Sequence, residues 1–199
     1  MNYLAHLALS GPNPALRVGG FLGDWLKGPL HIHQQSWAPD ILQGVALHRK
    51  IDAWVDQQAH TQAAITLLGP QLRRLAGPVL DITFDHFLAR QFTRWHSQNL
   101  GEFCEEVHHQ LAPHAKAMPE GAQRFLTRAR DYQLFERYAD QETYLGVIGS
   151  LRKRISRPQL LAGVEESLRE QRPQLQAAFE ALYPALQKFS EQARKKVSE

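Results

Sequence analysis

Residues 78–97 read PVLDITFDHFLARQFTRWHS. Leu80, Phe84, Phe87, Leu88 and Phe92 recur at three- and four-residue intervals, which is the period of one apolar helix stripe. Pro78 suits a first helical turn, where its missing N–H costs nothing. The spacing therefore predicts a helix from Pro78 to about residue 97. Asp81 and Asp85 stand four apart and share a face of it, while His86 points about 100° away. A helix with such a stripe must bury it against other elements.

The flanking sequence supplies helices and almost nothing else. Breakers and periodicity divide the chain into segments at about 2–9, 14–27, 39–57, 60–68, 78–97, 101–116, 119–137, 140–154 and 158–196. Gly28-Pro29 and Gly69-Pro70 are clear stops, and the last segment is expected to break near Pro173 and bend near Pro184. Leu (27), Ala (23) and Gln (19) far outnumber Val, Ile and Thr, which total 21, so strong helix formers dominate and strand formers are sparse. No alternating run reads as a strand. The fold class that follows is all-α, a single-domain helical bundle over residues 1–199 with a tail that frays from about 193.

With 199 residues the chain is long enough to bury a core without staples, and its one cysteine, Cys104, excludes a disulfide framework or a Cys-rich zinc module. No apolar run reaches the roughly 18 residues of a membrane span. The N-terminus lacks the basic start of a signal peptide, so a cytoplasmic protein is expected. The net charge is only +3, but the acids are skewed. All six in the first hundred residues are Asp: Asp24, Asp40, Asp52, Asp56, Asp81 and Asp85. Asp is a poorer helix former than Glu, so a helical half that uses only Asp does not choose its acids for helix stability.

Three segments gather chemistry. In 78–97, Asp81 and Asp85 repel unless a cation stands between them or one stays protonated. In ALHRKIDAW, His48 and Asp52 are four apart, and a carboxylate that orients an imidazole is a recurring metal or acid–base pair; Arg49 beside them suits an anionic substrate oxygen. In RVGGFLGDWLKG, Gly19, Gly20 and Gly23 cost helix stability, which close approach to another helix explains. Asp24 follows them among Phe21, Leu22, Trp25 and Leu26, where a carboxylate needs a partner or a metal. His6, within YLAHLAL, is more ordinarily a core histidine. Imidazole and carboxylate donors without thiolate suit Mn, Mg, Fe or Zn with water retained. A second feature is basic: Arg152, Lys153, Arg154 and Arg157 lie together without an acid, which suits an acidic partner or a solvated helix end.

MNYLAHLAL, GGFLGDWLKG, LHRKIDAW, LDITFDHFLAR and YLGVIGSLRKRISRP, in this order, resemble the bacterial acyl carrier protein phosphodiesterases, a family related to the HD-domain metal phosphohydrolases. The resemblance covers nearly the whole chain and is strongest over 1–96. It implies an HD-like helical hydrolase that releases 4′-phosphopantetheine from holo-acyl carrier protein, leaving the apo form. It also implies a divalent metal, Mn²⁺ first, with Mg²⁺ or Fe²⁺ as alternatives. HD proteins carry His then Asp in their central motif, whereas this chain has Asp85-His86. The ligand set expected is Asp24, His48, Asp85 and His86 first, with His6, Asp52 and Asp81 behind them. Asp81 or Asp52 would activate water, and His6 would protonate the leaving serine oxygen. Acyl carrier proteins are strongly acidic, so Arg49, Arg152, Lys153, Arg154 and Arg157 are the substrate-binding expectations. Competing readings are an HD-like phosphohydrolase of nucleotides and a metal-free helical nucleic-acid-binding protein. The second is disfavoured because no aromatics interleave the basic cluster.

Overall fold

A computed structural model describes residues 1–72, 75–153 and 155–196. Among them every regular element is helical. The α-helices are α1 (Tyr3–Leu9), α2 (Pro14–Leu22), α3 (Pro39–Asp56), α4 (Ala59–Leu67), α5 (Ala76–Arg90), α6 (Phe92–Trp95), α7 (Leu100–Leu111), α8 (Glu120–Asp131), α9 (Leu134–Arg137), α10 (Gln141–Ser150), α11 (Val164–Glu170) and α12 (Arg172–Lys195). The all-α expectation holds.

Local chemistry sets many of the starts. Asn13 caps α2 by accepting from the amides of Ala15 (2.9 Å) and Leu16 (3.3 Å), with Pro14 at the first helical position. Asn99 and Asp140 cap α7 and α10 in the same way. Several expected helices are shorter in fact. The segment 14–27 ends at Leu22, and residues 23–26 form turns. The segment 78–97 ends at Arg90, because Gln91 leaves helical geometry before α6. The segment 119–137 is divided at Gln133, whose φ is +48°. A 3-10 turn over Ala112–Ala117, with Pro113 in its first turn, ends α7 early. The last segment is a 3-10 turn, α11 and α12, and Pro184 lies inside α12.

Helix α1 is the axis of the site. Seven residues are too few to hold a helix alone, yet Leu4 to Leu9 are all buried. Its ends are fixed by side chains from far along the chain. Asp85 of α5 accepts from the amides of Asn2 (3.3 Å), Leu4 (2.8 Å) and Ala5 (3.2 Å). Ser190 of α12 donates to the Leu9 carbonyl at 2.5 Å, and Arg194 donates to the same oxygen. Both ends thus receive the partners that a helix cannot supply itself.

Helices α2 and α3 cross at contact distance, as the glycines foretold. A Cβ on Gly19 would stand 2.1 Å from the Ile41 carbonyl oxygen and 2.6 Å from Gly44 Cα. A Cβ on Gly20 would stand 2.4 Å from Ser10 Oγ. This crossing sets α3 beside α1 and brings residues 48 and 52 to residue 6.

Candidate metal centre

His6, His48 and Asp52 converge where α1 meets α3. The imidazoles of His6 and His48 stack with centroids 3.6 Å apart. His6 Nε2 lies 2.9 Å from Asp52 Oδ1, and His48 Nε2 lies 3.1 Å from Oδ2. The side chains of His6 and His48 are 0% and 3% exposed, against 41% for Asp52. The imidazoles therefore form the floor of the site, and the carboxylate reaches solvent. Asp24 adds a second carboxylate on the open side, 43% exposed and 3.8 Å from His48 Nε2.

Two features of this cluster bear on whether it could hold a cation. His48 Nδ1 stands 2.8 Å from the Gly20 carbonyl. A carbonyl only accepts, so Nδ1 carries a proton and Nε2 turns a lone pair toward Asp52 unless it is protonated too. His6 has neither ring nitrogen in a hydrogen bond although both are buried. Its Nε2 faces Asp52 Oδ1, and its Nδ1 has no partner among the described residues. Burial lowers the His6 pKa, and His48 lowers it further, so the neutral ring that binds metals is favoured. Burial by itself would raise Asp52, but its contacts with His48 and His6 hold its carboxyl far below the usual range. Among the described residues these three form the group whose donor atoms lie within 4.8 Å of one another. Ligands at about 2.0–2.2 Å from one metal stand roughly 3 Å apart, which is the spacing seen here. The donor set fits a divalent ion.

The remaining expected site residues divide. Asp81 stays on the rim: it accepts from the Met1 amino group at 2.6 Å, and the same amino group is 3.9 Å from Asp52. Asp85 is turned to α1 as its N-terminal acceptor and is fully buried. Burial pushes it up to about 7 against the opposing effect of the Leu4 and Ala5 amides. His86, one residue on, faces away from both. Its Nδ1 donates to the Tyr138 carbonyl at 2.7 Å and its ring stacks on Tyr144 at 4.3 Å. The structure brings neither Asp85 nor His86, both in the expected ligand set, into the His6–His48–Asp52 group: Asp85 is taken by the α1 amides, and His86, about 100° further round the helix, by Tyr138 and Tyr144. His6 and Asp52, expected to act on leaving group and water and otherwise as the ligands next in line, sit with His48 in the cluster.

Arg49 donates to the Leu26 carbonyl at 2.6 Å and so ties down the turn that carries Asp24. Arg152 is committed internally, with Glu165 at 2.5 and 2.7 Å and the Leu161 carbonyl at 2.8 Å. Lys153 and Arg157 are exposed, and Arg154 lies outside the described residues. Sequence reasoning missed the Gly20 carbonyl that orients His48, and the role of Gly23. A Cβ on Gly23 would stand 2.1 Å from His48 Cγ, so the imidazole occupies the space that glycine leaves. The glycine-rich run was the available signal.

Fold and site together define an all-helical protein with two buried imidazoles and a half-exposed carboxylate that could hold a metal ion. The chain belongs to the acyl carrier protein phosphodiesterase family, whose model matches residues 1–186. It is 28% identical over 187 residues to the acyl carrier protein phosphodiesterase of Yersinia enterocolitica, covering 94% of this chain and 95% of that one. It is 30% identical over 187 residues to the Salmonella agona protein of that name (92% and 90%), and 27% identical over 195 residues to one from Klebsiella pneumoniae (96% and 98%). No solved structure matches the chain significantly. No helix among the described residues is long and apolar enough to cross a membrane.

Proposed function

We propose that this chain is a metal-dependent phosphodiesterase of the cytoplasm. It hydrolyses the phosphodiester between 4′-phosphopantetheine and the serine of holo-acyl carrier protein, giving the apo protein. The observation that carries the reading is the His6–His48–Asp52 cluster, in a chain matched along nearly its whole length by that family.

His6, His48 and Asp52 would hold the ion, with Asp24 on its open side; Mn²⁺ is the first candidate, ahead of Mg²⁺ and Fe²⁺. Such an ion lowers the pKa of water and neutralises phosphoryl charge. The protein residues do the rest. The Gly20 carbonyl fixes the His48 ring and its tautomer. The buried imidazole floor keeps bulk water from one side of the site. Asp52 is taken up in the cluster, which leaves Asp81 on the rim to orient and deprotonate the attacking water. The donor set of imidazole and carboxylate is also what relates the reading to HD-type hydrolases.

The test is incubation of holo-acyl carrier protein with the purified chain and Mn²⁺, followed by intact mass measurement. The carrier protein should lose its phosphopantetheine with the wild type and keep it with His48→Ala. An unchanged mass with the wild type, or turnover of free nucleotides in its place, overturns the proposal.

A further inference from the structure

The segment from Trp25 to Ile51 contains a single acid, Asp40, against Lys27, Arg49, Lys50 and the histidines 31, 33 and 48. Its first half is the loop between α2 and α3, which includes a 3-10 turn at Leu30–His33. His33 closes the loop on itself through a 2.9 Å contact of Nε2 with the Lys27 carbonyl. Arg49 anchors the loop to the turn of α3 that carries His48, through the Leu26 carbonyl. The loop therefore stands at the rim of the cluster, on the side where Asp24 is exposed. Lys27, His31 and Lys50 are exposed, and among the described residues no ion pair engages Lys27. Two large hydrophobic residues of the described chain are exposed, Ile32 and Tyr132, and Ile32 (57%) tops this loop. An exposed isoleucine on the same loop as exposed Lys27 and His31 offers an acidic partner an apolar contact beside positive charge.

The basic run 152–157 is placed otherwise. Both terminal nitrogens of Arg152 are spent on Glu165 and Leu161. The Leu151–Lys153 turn packs on α10 and on the Pro158–Leu161 turn, away from the α1–α3 junction.

We infer that the α2–α3 loop, through Lys27 and Ile32, is the docking surface for an acidic protein substrate, the carrier protein itself. This rests on the phosphodiesterase reading. A carrier protein must bring its modified serine to the cluster, and a surface at the rim does this without a long reach. Opposite charges steer the encounter and set its salt dependence, and the apolar contact slows release.

Steady-state kinetics with holo-acyl carrier protein and Mn²⁺ test it, on the wild type and on Lys27→Glu, Ile32→Ser and Arg157→Glu. KM should rise about tenfold for Lys27→Glu and severalfold for Ile32→Ser, the scale expected for a reversed rim charge and a lost apolar anchor. In both, kcat and the Mn²⁺ affinity should stay within about twofold of wild type, since the surface only recruits substrate. Arg157→Glu should leave KM unchanged. An active wild type with unaltered KM in Lys27→Glu and Ile32→Ser overturns the docking surface alone. So does a KM effect confined to Arg157→Glu. A wild type that leaves the carrier protein intact overturns the phosphodiesterase reading, and this inference with it.

Discussion

Asp85 and His86 are adjacent in the chain and serve separate parts of the molecule. Asp85 satisfies buried amides at the start of α1, so removing it leaves the N–H groups of Leu4 and Ala5 without partners. Two unsatisfied buried donors cost about 2–4 kcal/mol together. Asp85→Ala should lower stability by that amount in urea unfolding, while folded protein keeps its Mn²⁺ affinity. His48→Ala should also cost stability, because it empties a buried space and frees the Gly20 carbonyl, but it should in addition show a large loss of Mn²⁺ binding by isothermal titration. For His86, burial lowers the pKa to about 4 from the ordinary 6.5, with nearby Arg90 and Arg172 acting the same way. The folded state thus keeps His86 neutral where the unfolded chain would protonate it. Its contribution to stability is full above pH 6.5, declines as pH falls towards 4, and is flat below. Within that window the slope attributable to one group approaches ~1.4 kcal/mol per pH unit. Comparing wild type with His86→Gln by urea unfolding at pH 7 and pH 5 isolates it, and the variant should lose less stability on acidification. Equal losses would remove His86 from the account.

At the scale of elements, the α2–α3 crossing is the joint that assembles the site. Gly19→Ala forces a methyl into the Ile41 carbonyl and the Gly44 backbone, and backbone cannot give way as a side-chain tip can. Overpacking of this kind costs ~3 kcal/mol or more. Gly146 lies in α10 with nothing within 4 Å of an added Cβ, so Gly146→Ala should stabilise by up to ~1 kcal/mol through helix propensity. Thermal unfolding of the pair should move in opposite directions. This joint was legible: three glycines spread over one turn of an apolar helix have no other economical reading. Helix ends were less so. Leu22 ends α2 five residues early because the Asp24 turn is held from outside, by Arg49 on the Leu26 carbonyl and by the Trp25 ring in the notch at Gly121. Such tertiary ties leave no local sequence mark. For the same reason helical spacing alone placed Asp85 with the candidate ligands. The period tells which residues share a face, and only the packing of α1 tells that this face meets backbone amides.

At the scale of the whole molecule, the cluster joins residue 6 to residues 48 and 52, on two helices separated by 29 residues. His6 stood out least in the sequence, because a histidine on an apolar helix is usually a core residue; it is one here as well, and the core is where the site lies. Any ion held at this junction cross-links α1 to α3. Neither the unfolded chain nor a partly opened one presents the three donors together, so binding should stabilise the entire fold. At an ion concentration 100 times the dissociation constant the gain is ~2.7 kcal/mol. For a chain of this length that corresponds to a rise in Tm of roughly 5–10 °C. Mn²⁺ added to metal-stripped wild type should produce that rise, and excess chelator should reverse it. Asp85→Ala should begin from a lower Tm and show the same increment, because its defect lies outside the cluster. His6→Ala and His48→Ala should show little increment at the same concentration. An equal increment in all four proteins would mean that the ion binds elsewhere, and the cluster would then be a hydrogen-bonded core triad.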